Sequence, residues 1–304
     1  KSLGNSIEII ELDNSFPSKF NPLKLLDKVF NKLTNLPFFM SKLVNMKNIK
    51  IMIKSDVIFI VNESVAFSSL PVLLLLKILK RKGINLFLMG ILSIESKNKG
   101  YKILKKNFIN LLFYCSSNLY FLSKAEKEFA IKEYPKQKHK MKFVPFSTDY
   151  EFWSEKNLDI ERSGILFVGN DKNRDYSLLL EIAKELQYID FTFLTQQITP
   201  EIEYKNIKII QGHLHEKILT DSNLRDLYNS SRLLILPLKE SLQPSGQSVA
   251  LQSMSCKTPV MISNTSGFWD KDRFSDLENI FFVEPNDLST WKSLISKYYD
   301  EKSL

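Results

Sequence analysis

Cysteine is scarce: Cys115 and Cys256 are the two in 304 residues, and no C-x-x-C occurs. That excludes a disulfide-stapled scaffold and a thiolate zinc site, and it fits cytoplasmic residence. The histidines number three, His139, His213 and His215. A multi-histidine metal centre does not follow from so few. His213 and His215, on either side of Leu214, read more simply as surface or core residues than as paired ligands. No metal and no cofactor is expected. The nine glycines form neither a G-x-G-x-x-G nor a P-loop. No apolar run reaches the roughly 18 residues of a transmembrane helix. The nearest, Val65 to Leu76, is bounded by Glu63 and Lys77 and reads as a buried helix. No signal peptide is visible, although the chain starts at Lys1 rather than Met. With no zinc finger and no RNA-recognition motif, nucleic acid is not an expected partner.

What is present is globular in kind. Hydrophobic residues make up 44% and charged residues 25%, which excludes disorder, collagen and coiled coil as the main state. At roughly 150 residues per domain the length suggests two domains. Charge divides the same way: residues 1–150 hold 25 Lys+Arg against 11 Asp+Glu, and residues 151–304 hold 17 against 23. Halves of opposite sign suggest domains with different partners. A basic half suits an anionic membrane, a phosphorylated lipid or another polyanion; equally, lysine can simply be the polar residue of choice in a chain rich in Lys, Asn and Ile.

Strand and helix signals alternate through both halves, which implies parallel sheets. In the first half the expected strands are Ser6–Leu12, Lys54–Val61, Ile84–Met89, Leu119–Leu122 and Lys142–Val144. The almost continuous apolar run of the second predicts a strand covered on both faces. Helices are expected over Ala66–Lys82, with Gly83 just past its end, and over Tyr101–Phe113 and Lys124–Glu133. Pro145–Ile160 breaks the alternation and reads as a linker, within an organisation of residues 1–148, 149–162 and 163–304. The second half restarts with strands Gly164–Val168, Phe191–Leu194, Ile207–Ile210, Leu233–Leu236, Pro259–Ser263 and Ile280–Val283. Helices are expected at Tyr176–Leu186, Asn223–Asn229, Ser245–Cys256 and Leu288–Tyr299, the last near the domain junction. The fold class is α/β, two Rossmann-like domains facing a cleft. Open parallel sheets bind ligands at the carboxyl ends of their strands.

Two loops carry chemistry. Gly169–Asp175 follows a buried strand and precedes a helix, with Arg174 beside the helix start. A guanidinium can grip phosphate oxygens bidentately, and a helix N-terminus adds amide donors. Alone, the loop reads first as an exposed turn with a solvated arginine, and second as a phosphate grip. Gln243-Pro244-Ser245-Gly246-Gln247-Ser248 opens the next such helix; Pro and Ser suit a helix start and Gly246 permits close backbone approach. Alone, this is an ordinary capped helix. Together, one cation and one helix N-terminus on the same sheet edge are what a diphosphate requires.

The run SRLLILPLKESLQPSGQSVALQSMSCKTPVMIS, Ser231–Ser263, resembles the nucleotide-sugar region of GT-B glycosyltransferases of family four, whose helix carries E-G-F-G-x-x-x-x-E-A-M-A-x-G-x-P-V. FVGNDKNRDYSLLLEIAKEL, Phe167–Leu186, resembles that family's first strand and diphosphate loop, with Arg174 where Lys or Arg stands. Phe121–Trp153 resembles its interdomain region and Phe282–Tyr299 its final strand and helix. The likeness covers residues 115–300 by motif and 1–114 by topology; Lys1–Leu12 resembles the end of a first helix and a second strand, which would put the first strand before Lys1. There are departures. The family's paired glutamates fall at Pro244 and Gln252, and the arginine of its Gly-Arg loop at Asn170. A histidine expected after Ile84–Met89 is replaced by Met89-Gly90. Proline cannot contact a donor sugar, whereas Gln252 can still bond a ribose hydroxyl.

The resemblance implies an enzyme moving a sugar from a nucleoside-diphosphate donor to a glycan or lipid-linked acceptor, as in bacterial surface polysaccharide or glycolipid synthesis. It implies retention at the anomeric carbon; no metal is needed if Arg174 and the helix start at Ser245–Ser248 supply the countercharge, and no carboxylate cluster for one is visible in the sequence. Arg174 is the expected catalytic residue; Gly169, Asn170, Ser245, Gly246, Gln247, Ser248, Gln252 and Glu63 are the expected substrate contacts. Glu63 closes a strand and reads first as a helix cap, second as a contact for an acceptor hydroxyl. A second reading is a catalytically silent module of the same fold that binds an anionic membrane or polyanion through its basic half. The expected membrane face combines Lys77, Lys80, Arg81, Lys82, Lys97, Lys99, Lys102, Lys105 and Lys106 with the apolar run Ile84–Leu92 and with Phe108, Leu111, Leu112 and Phe113. The alternative is a solvated lysine face over an interior strand.

Overall fold

The computed structural model describes residues 21–79, 83–93, 99–156, 161–199, 204–211 and 219–299. The expected strand Ser6–Leu12, and Lys80, Arg81, Lys82, Lys97, His213 and His215, lie outside them. The chain divides into two compact units, Lys1–Val144 and Pro145–Leu304.

The first unit opens with three helices that the sequence reading passed over: α1 (Leu23–Thr34), α2 (Met40–Leu43) and α3 (Met46–Lys54). A buried carboxylate orders this entry. Asp27 of α1 accepts from the Met40 and Ser41 N–H groups at 2.7 and 3.0 Å, satisfying donors at the start of α2 that have no helical partner. Four parallel strands follow, β1 (Ile58–Ile60), β2 (Ile84–Leu88), β3 (Asn118–Phe121) and β4 (Met141–Phe143), in the order β1-β2-β3-β4. Between them run α4 (Glu63–Ser68), α5 (Leu70–Ile78), α6 (Lys99–Cys115) and α7 (Lys124–Glu133). One helix over Ala66–Lys82 is thus two. Proline has no N–H to continue a helix, and Pro71 stands in the first turn of α5, where none is needed. The expectation that Lys54–Val61 forms a strand covered on both faces is also corrected. Lys54 ends α3, β1 has three residues, and Phe59 is 64% exposed. Among the described residues β1 pairs with β2 alone, and an apolar run carries no signal of how many neighbours a strand will find.

The second unit has a six-stranded parallel sheet of β5 (Ile165–Val168), β6 (Phe191–Leu194), β7 (Ile207–Ile210), β8 (Leu233–Leu236), β9 (Val260–Ser263) and β10 (Phe281–Val283), in the order β10-β9-β8-β5-β6-β7. This is the doubly wound order of dinucleotide-binding sheets. The connecting helices are α8 (Tyr176–Glu185), α9 (Asp221–Ser230) and α10 (Gln247–Ser255), with α11 (Leu288–Tyr299) closing the chain. β5, β8 and β9 are buried along their whole length, as strands sandwiched by helices must be. The hydrophobic core has one cluster on each face, one around Trp291 and Phe167 and the other around Tyr228 and Trp269. All three tryptophans, Trp153, Trp269 and Trp291, are buried packing residues. Residues 152–156, read as linker, pack on α9. The Trp153 ring meets Tyr228 edge-on at 5.9 Å, and the Lys156 N–H donates to Asn229 at 2.8 Å.

Candidate functional site

Strand order reverses between β5 and β8, because β5 leads outward through β6 and β8 leads outward through β9. The helices that follow these two strands go to opposite faces of the sheet, and the switch point between them is where open α/β sheets take ligands. Gly169–Asp175 follows β5 and residues 237–246 follow β8. Backbone bonds join the loops: Asp175 N–H to the Pro237 carbonyl at 2.9 Å and Lys239 N–H to the Asn173 carbonyl at 2.8 Å. The Asn173 amide donates to Ser245 Oγ at 3.0 Å across a separation of 72 residues.

Arg174 sits at this junction and is not the solvated arginine of an exposed turn. It is 2% exposed. A Cβ on Gly169 would lie 2.3 Å from Arg174 Nε, and one on Gly246 would lie 2.9 Å from Nη1. The guanidinium thus runs between the two glycines, and each is there because a side chain would collide with it. Gly246 also has φ +82°, a conformation glycine adopts without strain. The charge is thinly compensated. Asp171 Oδ2 lies 3.2 Å from Nε, but Asp171 is itself 42% exposed, and Nε and Nη1 have no acceptor in hydrogen-bonding geometry. Burial lowers the affinity of this guanidinium for its proton, and Asp171 partly restores it. Gly246 is the N-cap of α10 and supplies no side-chain acceptor to the helix start. A buried, underbonded cation beside an uncapped helix N-terminus is a receptor for an anion.

The other expected contacts are distributed less simply. Ser245, Gly246, Gln247 and Ser248 form the approach to α10, Ser248 being exposed and Gln247 buried. The Asn170 side chain accepts from Gln196 N–H at 2.6 Å and from Thr195 Oγ1 at 3.2 Å, so it braces the end of β6. Gln252 Oε1 accepts from the buried Tyr228 hydroxyl at 3.2 Å, and burial pushes that phenol well above its ordinary pKa. Glu63 belongs to the first unit. The helix cap expected of it is supplied by Asn62, which accepts from Ser64 N–H at 2.8 Å. Glu63 Oε1 instead accepts from Met89 N–H at 2.6 Å, across the sheet edge.

Three supports escaped the sequence reading. Tyr176 donates to the carbonyls of Gly169 and Asp171, at 3.3 and 3.0 Å, and holds the first loop. Asn286 accepts from Ser263 Oγ at 2.7 Å and Trp291 Nε1 at 2.9 Å, and donates to the Leu238 carbonyl at 2.9 Å. It ties the ends of β8, β9 and β10 together. Glu126, wholly buried, accepts from Gly90 N–H with both oxygens, at 2.9 and 3.1 Å. Burial and the Glu63 charge push its carboxyl up to about 8. Its trace in the sequence is Ser123-x-x-Glu126, a helix-start pattern in which Ser123 does cap α7. Among the described residues, no group of three or more His, Cys, Asp or Glu is placed to hold a metal ion.

No protein-family model and no curated protein sequence matches the chain. Solved structures do. The Anabaena protein HepE, solved in complex with UDP, is 13% identical with a TM-score of 0.62 over 83% of this chain and 71% of that one. The catalytic domain of starch synthase IV from Arabidopsis thaliana, bound to ADP and acarbose, is 11% identical with a TM-score of 0.62 over 91% and 71%. A glycosyltransferase from Rickettsia africae is 14% identical with a TM-score of 0.59 over 93% and 73%. The likeness is one of fold. Two Rossmann-like α/β units with parallel sheets make this a GT-B architecture.

Proposed function

We propose that the protein is a glycosyltransferase that moves a sugar from a nucleoside diphosphate to a glycan or lipid-linked acceptor. The observation that carries the reading is Arg174: a buried guanidinium with unbonded nitrogens, seated at the strand-order switch of a Rossmann sheet against the uncapped start of α10. In HepE and starch synthase IV, structures of the same architecture hold UDP and ADP.

In this reading the diphosphate lies against Arg174, Gly169 and the backbone of Ser245–Ser248. As the bond from the sugar carbon to the diphosphate breaks, charge builds on the departing oxygen. Arg174 and the amide groups of α10 offset it without reorganising. These groups supply the countercharge that a metal ion supplies elsewhere, so none is invoked. Asn170 holds the first loop, Gln252 reaches the ribose when Tyr228 releases it, and Glu63 meets an acceptor hydroxyl. The motif likeness of Ser231–Ser263 supports retention at the anomeric carbon.

Calorimetric titration with UDP- and GDP-sugars tests the proposal. Saturable binding that Arg174→Ala weakens ten-fold or more is the expected result, the cost of a lost charge-assisted hydrogen bond being about 1.5–3 kcal/mol. Equal affinity in the variant would place the nucleotide elsewhere.

A further inference from the structure

The apolar segment expected to face a membrane does not do so. Ile84, Leu86 and Leu88 are buried in β2, Leu112 and Phe113 are inaccessible, and Lys105 is 8% exposed. A different apolar surface lies on α5. The helix reads LPVLLLLKI, and its inward side, Leu70, Val72, Leu73 and Leu76, is buried in the core. Its outward side is apolar as well. Pro71, Leu75 and Ile78 are exposed at positions i, i+4 and i+7, and Leu79 continues beyond the helix end. Ile78 is 69% and Leu79 53% exposed. A surface helix of a water-soluble domain turns a polar face outward; one apolar all round needs an apolar partner on both sides.

The surroundings say which partner. Lys77, within this stripe, holds its ammonium 5.1 Å from the centre of the Tyr114 ring, and Lys140 approaches the same ring at 5.9 Å. Tyr114 is itself half exposed. Lys140 also donates to the Phe113 and Tyr114 carbonyls, at 3.0 and 3.1 Å, which fixes it at the C-terminal end of α6. Neither α5, α6 nor the short helix Pro135–Lys140 contains an Asp or a Glu, and the last adds Lys136 and Lys138. Lys106 of α6 pairs with Glu133 at 2.9 Å, while Lys77 and Lys140 meet Tyr114 and backbone carbonyls. Exposed aliphatic side chains, an interfacial tyrosine and an excess of lysine match a bilayer surface with anionic headgroups.

We propose that the outward face of α5, with Lys77, Tyr114 and Lys140, is the surface by which the first unit docks on an anionic lipid bilayer. The contact names a partner for the protein and does not depend on the donor site. Aliphatic side chains enter the headgroup boundary while the lysines stay at phosphate depth.

Co-sedimentation of the full chain with vesicles tests it, using pure phosphatidylcholine against phosphatidylcholine with about 30 mole percent phosphatidylglycerol, which carries the negative surface potential the lysines require. Binding to the anionic vesicles alone, released as salt rises, is the expected result. Ile78→Ser with Leu79→Ser should weaken it at least ten-fold, and Lys77→Ala about five-fold. Ile78 and Leu79 are exposed and Lys77 is half-buried against Tyr114, so the fold should survive all three changes, which circular dichroism checks. Affinity for UDP-, GDP- and ADP-sugars, measured in parallel, should be unchanged in these variants; absence of all three in the parent protein would refute the transferase reading and leave the docking result standing. Equal binding to both vesicle types, no binding, or full binding by the Ile78/Leu79 double variant would overturn the proposal. So would concentration-dependent dimerisation in the ultracentrifuge that the double variant abolishes, since a second copy would then be the occupant.

Discussion

Replacing Arg174 by methionine separates two roles that are usually confounded for a buried charge. Breaking a well-made buried ion pair costs about 3–5 kcal/mol, because the partner is left charged and dry. That does not apply here. The partner is Asp171, at 3.2 Å, and 42% of its side chain is exposed, so water takes over when the guanidinium goes. Nε and Nη1 make no hydrogen bonds whose loss would be felt. Methionine keeps most of the stem between Gly169 and Gly246, and replacing a buried ion pair by an apolar side chain of similar volume is often neutral or stabilising. Without ligand, Arg174→Met should therefore unfold within about 1 kcal/mol of the parent, or later than it. With ligand the two should part. A nucleotide at 100 times its Kd stabilises by about 2.7 kcal/mol, and a ten-fold weaker Kd leaves about 1.4 kcal/mol. The nucleotide-induced rise in melting temperature should fall to about half, as scanning calorimetry with and without UDP or GDP would show. Two results refute the reasoning: an undiminished rise in the variant, or a loss of several kcal/mol in its absence.

Three further outcomes follow from the same geometry. Gly169→Ala should keep the fold but displace Arg174, because the new Cβ would meet Nε at 2.3 Å and a flexible side chain is what must yield; nucleotide affinity measured by calorimetry should drop as for Arg174→Ala. Asn286→Ala strands the Trp291 indole N–H and the Leu238 carbonyl, and at about 1–3 kcal/mol for each buried group the unfolding free energy read from urea titration should fall by about 2–6 kcal/mol in all. For Glu126, the folded pKa of about 8 lies above the ordinary 4.5, so the native state holds the proton more tightly than the unfolded chain. The stability this contributes is complete below pH 4.5 and is lost as pH rises to 8, at up to about 1.4 kcal/mol per unit. Glu126→Gln should thus gain on the parent across that window in urea unfolding and level off above it; parallel curves would show that Glu126 is ionised throughout.

Much of the fold was legible in the sequence because its signals are local. β6, β7, β8, α7 and α11 run between the residues that periodicity and turn signals indicate, and most other elements agree to within a few residues. A 3.6-residue or two-residue period needs no knowledge of the rest of the chain. The break between α4 and α5 was not legible: Pro71 carries its signal, but the continuous apolar stretch around it reads as one helix. The α/β alternation determined that both sheets would be parallel.

The tertiary structure alone decided what those elements meet. Phe59 belongs to an apolar run, yet it is exposed, since burial depends on how many strands flank its own. Ile84–Leu88 and the outward face of α5 are equally apolar in composition; packing buried the first and left the second at the surface. Glu126 reads as a helix-start residue, and only the close approach of the turn after β2 makes it a buried acid with a displaced proton equilibrium. Arg174 could be named from its loop, but not its burial between Gly169 and Gly246. That follows from the reversal of strand order between β5 and β8, which brings loops some 70 residues apart onto one sheet edge and leaves the guanidinium with less hydrogen bonding than its charge demands.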